Sequence, residues 1–201
     1  MDKFDRLTAV AAPLLRDNID TDAIIPSREM KSVSKRGLAD GLFAGWRYQA
    51  IGGRDPSADF ILNDPAYAQA QILLTGTNFG CGSSREHAAW ALVEYGFRAI
   101  IAPSFNPIFR SNCVNNGIVP VELDAAAIAA LAEQAGAAPV TVDLEQCLVS
   151  SPAGSWSFAM DGEARQMLLN GMDAIELTLS RKGAIEAFRT ADAAARPWIY
   201  L

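Results

Sequence analysis

The chain is poor in the residues that build metal sites and disulfide frameworks: three cysteines and one histidine among 201 residues. Cys81, Cys113 and Cys147 are far apart, odd in number and form no C-x-x-C pair. That spacing argues against a disulfide framework and against a complete zinc or iron–sulfur site in this chain. The lone His87 removes a His-rich metal site as well. Each cysteine reads as a small buried hydrophobe, with only Cys81 set among reactive neighbours. Positive charge is also scarce, 17 Lys and Arg against 23 Asp and Glu, for a formal net charge of −6. With no long basic block, nucleic acid and anionic membrane are not expected partners, although one cationic pocket for a small anion remains open. No apolar run reaches the ~20 residues of a membrane-spanning helix. The start, MDKFDRLTAV, has no apolar middle of the signal-peptide kind, so the expected location is cytoplasmic.

What is present suits an ordinary globular protein: 50% hydrophobic and 20% charged residues, and enough length for one domain with a real core. Residues 1–70 read as an irregular part. It holds an apolar segment around Thr8 to Leu15, then RDNIDTDAIIP, then the basic stretch SREMKSVSKRG. Asp17, Asn18, Asp20 and Asp22 read as turn and cap formers, and the segment lacks the central Gly and closing Glu of a calcium loop. Residues 71–136 alternate cleanly. QILLTG, RAIIAP and IVPVEL read as strands, the proline of the last hinting at an edge or bulge. Helices are expected over SREHAAWALVEYG, from about Ser104 or Asn106 to NNG, and over AAAIAALAEQAG behind Asp124 as cap. The alternation predicts an αβα unit on a largely parallel sheet. Residues 137–201 read as short antiparallel strands, PVTVDL, CLVSS and SWSFAM, then two or three helices ended by Pro197. The fold class is α/β.

The stretch NFGCGSSREHAAWAL, residues 78–92, concentrates small and reactive groups between a strand and a helix. Gly80 and Gly82 can adopt backbone angles closed to other residues and let a ligand reach the main chain. The first-turn N–H groups of a helix carry the positive end of its dipole, and Arg85 adds a planar fork suited to a carboxylate. A structural alternative stands beside this one: Ser83 and Glu86 fit a capping box worth about 1 kcal/mol. A cap alone leaves both glycines and Arg85 unexplained. Among functional versions, a phosphate loop lacks its third glycine or its lysine. A serine hydrolase lacks G-x-S-x-G, although His87 lies one helical turn from Ser83. The third version makes the Ser83 hydroxyl, among N–H dipoles and Arg85, a general base towards a carboxylate substrate.

The same stretch resembles the serine-loop signature of the aconitase superfamily's mobile swivel domain, a pattern close to N-x-G-x-G-S-S-R-E-H-A. DNIDTDAIIP, LFAGWRY, IIAPSFNPIFRSNCVNNGIVPV and LLNGMDAIELTL are similar, in order and spacing, to segments of the separate small-subunit family of isopropylmalate dehydratases of leucine biosynthesis. The likeness runs from about Leu7 to Ile185. It implies a single swivelling β/β/α domain over 1–201, a mixed sheet or barrel carrying the αβα unit. It also implies a two-chain enzyme. A large subunit would carry a [4Fe-4S] cluster whose open iron binds the substrate hydroxyl and carboxylate, and this chain would bind no cofactor or metal. The implied reaction dehydrates 2-isopropylmalate to 2-isopropylmaleate and rehydrates it to 3-isopropylmalate.

Carried over residue by residue, the resemblance makes Ser83 the catalytic serine and Ser84 and Arg85 substrate-binding positions. Gly80 and Gly82 become the backbone of the anion turn. Family members differ in the loop after IIP, which implies that it faces the substrate's side group. Here it reads Arg28, Glu29, Met30, Lys31, Ser32. Met30 would meet an isopropyl group and Arg28 a carboxylate, unless the loop is simply solvated. His87 reads equally as a packing residue, Glu86 as the capping partner and Cys81 as packing beside the turn. Phe43, Trp46, Tyr48 and Trp198 are interface candidates that core packing explains equally well. Two other readings stay open: a dehydratase of methylmalate-type or homocitrate-type acids, and a non-catalytic carboxylate-binding module.

Overall fold

The computed structural model describes residues 1–30 and 34–200. Lys31 and Ser32 lie outside the described residues. Strands β1 (Arg6–Ala9) and β2 (Ala11–Leu14) have only Val10 between them, yet they enter different sheets. The stretch that follows is mostly 3₁₀ turns with two single-turn helices, α1 (Thr21–Ile24) and α2 (Ala44–Arg47). Then come β3 (Ile72–Thr75), α3 (Glu86–Tyr95), β4 (Ala99–Ala102), α4 (Pro107–Asn115), β5 (Val119–Glu122) and α5 (Ala125–Glu133). The chain finishes with β6 (Val140–Asp143), β7 (Leu148–Ser151), β8 (Gly154–Ser157), α6 (Gly162–Asn170), α7 (Ala174–Leu179) and α8 (Lys182–Ala195).

One sheet has the order β2-β3-β4-β5 and is parallel throughout; the other, β1-β6-β7-β8, is antiparallel. The mixed α/β architecture agrees with the sequence pattern. Every residue of β3 and β4 is buried, because helices or the second sheet cover both faces, and this is why both strands read as unbroken apolar runs. Side chains alternate across the sheet. Leu73 and Ile100 join Phe79, Leu92 and Phe109 in one core, whereas Ile72, Leu74 and Ile101 join Ile128, Val142 and Leu168 in another. Both prolines of the parallel sheet, Pro13 and Pro120, sit on its edge strands, where a missing N–H costs no ladder bond. The apolar segment around Thr8 to Leu15 thus supplies two strands that sequence reading left unresolved.

Helix ends follow side-chain chemistry. Asp124 accepts from the Ala127 N–H at 2.7 Å and Asn106 from the Ile108 N–H at 3.0 Å, capping α5 and α4. The expected capping box at Ser83 and Glu86 does not form. The residue before α3 is Arg85, in extended backbone and without a side-chain cap. Glu86 instead accepts from Asn116 Nδ2 at 3.1 Å and Trp90 Nε1 at 3.3 Å. A complete capping box does occur at α7, between Asp173 and Glu176. Phe43 is fully buried and stacks on Trp46 at 5.8 Å between centroids, which removes it as an interface residue. Trp198 is exposed. Among the described residues, no helix is long and apolar enough to cross a membrane.

Candidate functional site

The serine turn leaves the C-terminal end of β3, the edge of a parallel sheet where strand ends and helix starts leave room for ligands. It is gripped on both sides. On one side Asn18 to Thr21 runs beside it: the Asn18 N–H donates to Thr77 O at 2.8 Å, the Gly80 N–H to Ile19 O at 2.8 Å, and the Thr21 N–H to Cys81 O at 3.0 Å. On the other side the Phe79 N–H donates to Ser104 O and the Asn106 N–H to Phe79 O, both at 3.0 Å. The sheet is in effect prolonged by parallel bridges, Asp20 with Cys81 and Phe79 with Phe105. Thr21 Oγ1 completes the grip by donating to Ser83 O at 2.9 Å. This is the reason the capping box fails: the Ser83 carbonyl is held by the neighbouring segment, and the chain stays extended until the helix opens at Glu86.

Within that frame Ser83 and Ser84 are both exposed, and no side chain among the described residues bonds their hydroxyls. Arg85 is half-buried, and its Nη1 donates to Asp22 Oδ1 in a direct ion pair. Asp22 also accepts from Ser27 Oγ at 3.5 Å, a bond that ties the loop after IIP to the same carboxylate. The pair fixes the direction of a side chain with five donors, of which Asp22 takes only one side. Asp20 caps α1 through the Ala23 N–H at 2.7 Å, and Asp17 accepts from the Thr77 N–H at 2.7 Å. Turn and cap chemistry therefore covers Asp17 and Asp20 but not Asp22. Thr21 and Asp22 are the site residues that sequence reasoning missed, and the resemblance of DNIDTDAIIP was the available signal.

The two glycines differ in kind. Gly80 has φ +74, and a Cβ there would come within 2.1 Å of the Phe109 ring. With its N–H held by Ile19 O, Gly80 serves packing and the backbone turn, not as an anion donor. Gly82 has φ +86 and is exposed, and a Cβ there would meet Asp20 Cβ at 3.3 Å and Thr21 Oγ1 at 3.7 Å. His87 packs its ring on Trp90, 4.6 Å between centroids. Cys81 is half-buried, and its thiol is pushed up by burial and then by the Asp20 carboxylate.

The loop after IIP starts in a 3₁₀ turn, Ser27–Glu29. Arg28 is exposed with Nε 3.5 Å from Glu29 Oε1, and Met30 packs partly against the first core. Glu29 in turn takes Arg54 Nη2 at 2.6 Å. At the far end of the loop the Glu94 carboxylate accepts the N–H groups of Gly37, Leu38 and Ala39 at 2.6, 2.5 and 3.0 Å. Burial disfavours the charged Glu94, but those three donors outweigh it and hold its pKa below the ordinary value. Thus Ser83, Ser84 and Arg85 share one turn, Ser27 links the start of the loop to it through Asp22, and Arg28 and Met30 touch neither serine through any bond.

Comparison with known proteins places these observations in a family. The model of the aconitase C-terminal domain matches residues 1–126. The chain is 59% identical over 205 residues to the 3-isopropylmalate dehydratase small subunit of Cupriavidus necator, covering 100% of this chain and 99% of that one. It is 49% identical to the 3-isopropylmalate dehydratase small subunit of Dinoroseobacter shibae, covering 99% of this chain and 100% of the other. The crystal structure of a 3-isopropylmalate dehydratase from Methanocaldococcus jannaschii superimposes with a TM-score of 0.67 at 25% identity, over 92% of this chain and 99% of that one. The chain belongs to the aconitase C-terminal domain family, and within it to the small subunits of 3-isopropylmalate dehydratase.

Proposed function

We propose that the chain is the cytoplasmic small subunit of a hydro-lyase that interconverts 2-isopropylmalate and 3-isopropylmalate through 2-isopropylmaleate, with Ser83 as the base. One observation carries the residue-level reading. The Ser83 hydroxyl is exposed on a turn whose backbone is held by Thr21, two residues before a guanidinium aimed by Asp22. In the dehydration a proton leaves the carbon beside a carboxylate for the Ser83 Oγ alkoxide, and the hydroxyl on the neighbouring carbon leaves with its bonding electrons; that hydroxide and the proton taken by Ser83 together make up the one water released. Rehydration reverses the step with the hydroxyl on the other carbon. The carbanion-like charge and the carboxylate that carries it need fixed positive groups. Arg85 supplies one, and the Ser84 hydroxyl is a further donor beside it. A serine hydroxyl is a very weak acid, so its alkoxide needs those dipoles and the guanidinium close by. Met30 would meet the isopropyl group and Arg28 the second carboxylate, with Ser27 and Asp22 supporting the loop's approach to the turn.

A [4Fe-4S] cluster belongs, on this reading, to a large-subunit partner. This chain's own donors do not fit one. Cys113 is buried in the first core, Cys147 packs against the second, Cys81 lies in the serine turn, and the described residues hold no group of three His, Cys, Asp or Glu suited to a metal. No step assigned to this chain passes through the cluster.

Reconstitution with the purified large subunit tests the reading. Turnover of 2-isopropylmalate is expected only in the mixture, and Ser83→Ala is expected to keep large-subunit binding and lose about two to four decades of rate. Near-normal turnover by Ser83→Ala removes Ser83 from the role of base. Assays with shorter and longer 2-hydroxy diacids test the assignment of Met30 and Arg28.

A further inference from the structure

The C-terminal helix α8 has no buried residue, although it is strongly amphipathic in sequence. Ala184, Phe188, Ala191 and Ala195 fall at i, i+4, i+7 and i+11, one stripe flanked by Ile185. The opposite side is occupied. Glu186, Arg189, Thr190 and Ala193 line a hollow with Tyr200, whose hydroxyl meets Asp192 Oδ2 at 2.7 Å. The chain's end therefore folds back on the polar side and leaves the apolar stripe open. Leu179, Ile185, Phe188, Trp198 and Ile199 are all exposed, by between 38% and 66% of their surface. With Ile175 they present roughly 500–900 Å² of side-chain surface, taking about 150–250 Å² for a whole large side chain. That exposed apolar surface is of the order of the ~800 Å² per partner that a standard protein–protein interface takes.

The position of α8 says which partner. Arg181, the residue before it, pairs with Glu163 at 3.2 Å. Glu163 lies on the rim of a cavity of about 390 Å³ between α4 and α6, lined by Phe105, Val114, Met160 and Met167. Phe105 is bridged to Phe79 in the serine turn. Turn, groove and helix root are therefore linked in order through Phe105 and Glu163. A protein seated over Ser83 and continuing along α4 meets α8 at its root.

We infer that the apolar stripe of α8, with Trp198 and Ile199 beyond it, is a docking arm for the large subunit rather than a contact between copies of this chain. The inference rests on the two-chain reading above. Its test uses the full-length chain carrying Ile185→Glu and Phe188→Glu together, with binding to the purified large subunit measured by interferometry. Sedimentation of each component alone runs alongside. The dissociation constant is expected to rise by about thirty-fold or more, as for loss of a buried aromatic anchor. The circular dichroism spectrum and melting temperature of the isolated chain should stay unchanged, because neither side chain is buried. If the double variant misfolds, Trp198→Ser replaces it, with the same expectation. Unchanged affinity overturns the inference and leaves the catalytic reading intact. So does a wild-type homodimer that the substitutions split without affecting large-subunit binding. Loss of binding by the helix variants, beside full turnover by Ser83→Ala, keeps the arm and removes the base. No binding by the wild-type chain overturns both.

Discussion

Replacing Gly80 by alanine probes how the serine turn is held without touching a reactive group. Two costs add. At φ +74 an L-residue carries about 1–2 kcal/mol of left-handed strain. A Cβ would also stand 2.1 Å from Phe109 Cγ and 2.3 Å from Cδ1, in a core where that ring is already packed edge-on against Phe79 at 5.3 Å. Forcing a methyl into such a core costs about 1–3 kcal/mol. The total, about 2–5 kcal/mol, corresponds to a fall in Tm of about 4–20 °C for a domain of this size. A double-mutant cycle separates the two parts. Phe109→Ala alone should cost about 3–5 kcal/mol through its cavity, but in the double variant the two ring contacts are gone and only the Cβ of residue 109, 2.6 Å from the new methyl, remains to be relieved by a small shift. Gly80→Ala with Phe109→Ala should then be more stable than the sum of the singles by about 1–3 kcal/mol. Urea denaturation of all four proteins measures this. Strict additivity refutes the close approach to Phe109 and leaves only the backbone strain, and a Gly80→Ala protein as stable as wild type refutes both.

Other consequences follow from the same geometry. Asp22→Asn keeps the shape but not the charge that aims Arg85, so kcat/KM in the reconstituted enzyme should fall about 10–100-fold, mostly through a higher KM. Its stability should drop by no more than about 1 kcal/mol, since the pair is partly exposed, and activity within two-fold of wild type refutes the aiming role. Glu94→Gln leaves an amide where three N–H groups expect a carboxylate, at about 1–2 kcal/mol near neutral pH given the carboxylate's exposure. Because the folded-state pKa is depressed, that contribution is complete above the ordinary carboxylate value of about 4.3 and fades as pH falls through the lower folded value. Urea melts of both proteins followed from about pH 7 downward should therefore converge progressively in acid, and a gap that stays constant down to about pH 2 refutes the charge argument.

The parallel strands were legible because burial on both faces leaves an unambiguous apolar run, as in QILLTG and RAIIAP. The caps at Asp124 and Asn106 were legible because capping is decided within four residues. The failures share a cause in distance. Ser83 and Glu86 satisfy the local pattern of a capping box, but Thr21, 62 residues earlier, holds the Ser83 carbonyl and changes where the helix opens. Asp22 reads as one more turn former, and only the fold brings it to Arg85, 63 residues away. Strand β2 escaped notice because Pro13 disguises it, which an edge position permits. Phe43 is worse still. It is a buried aromatic at φ +50 heading a single-turn helix, and no local pattern announces such a backbone.

The way the site is held accounts for an exposed reactive serine in a chain that, on this reading, meets its substrate only with a partner. A base that must be reached from outside cannot be fixed by packing its own side chain, so its backbone is fixed instead. Thr21 takes the carbonyl, the Ile19 and Cys81 bonds take the flanking peptides, and Phe109 fills the space behind Gly80. The loop after IIP is treated alike. Glu29 with Arg54 secures its start and Glu94 its return, so both roots are held by carboxylates. Carboxylates do the holding at Asp22, Glu29 and Glu94, and all three are already matched by donors of this chain. On the proposed reading, a diacid substrate that reaches Arg85 would share it with Asp22 instead of finding a bare cation. That arrangement keeps the guanidinium aimed between turnovers, when no substrate carboxylate is there to aim it.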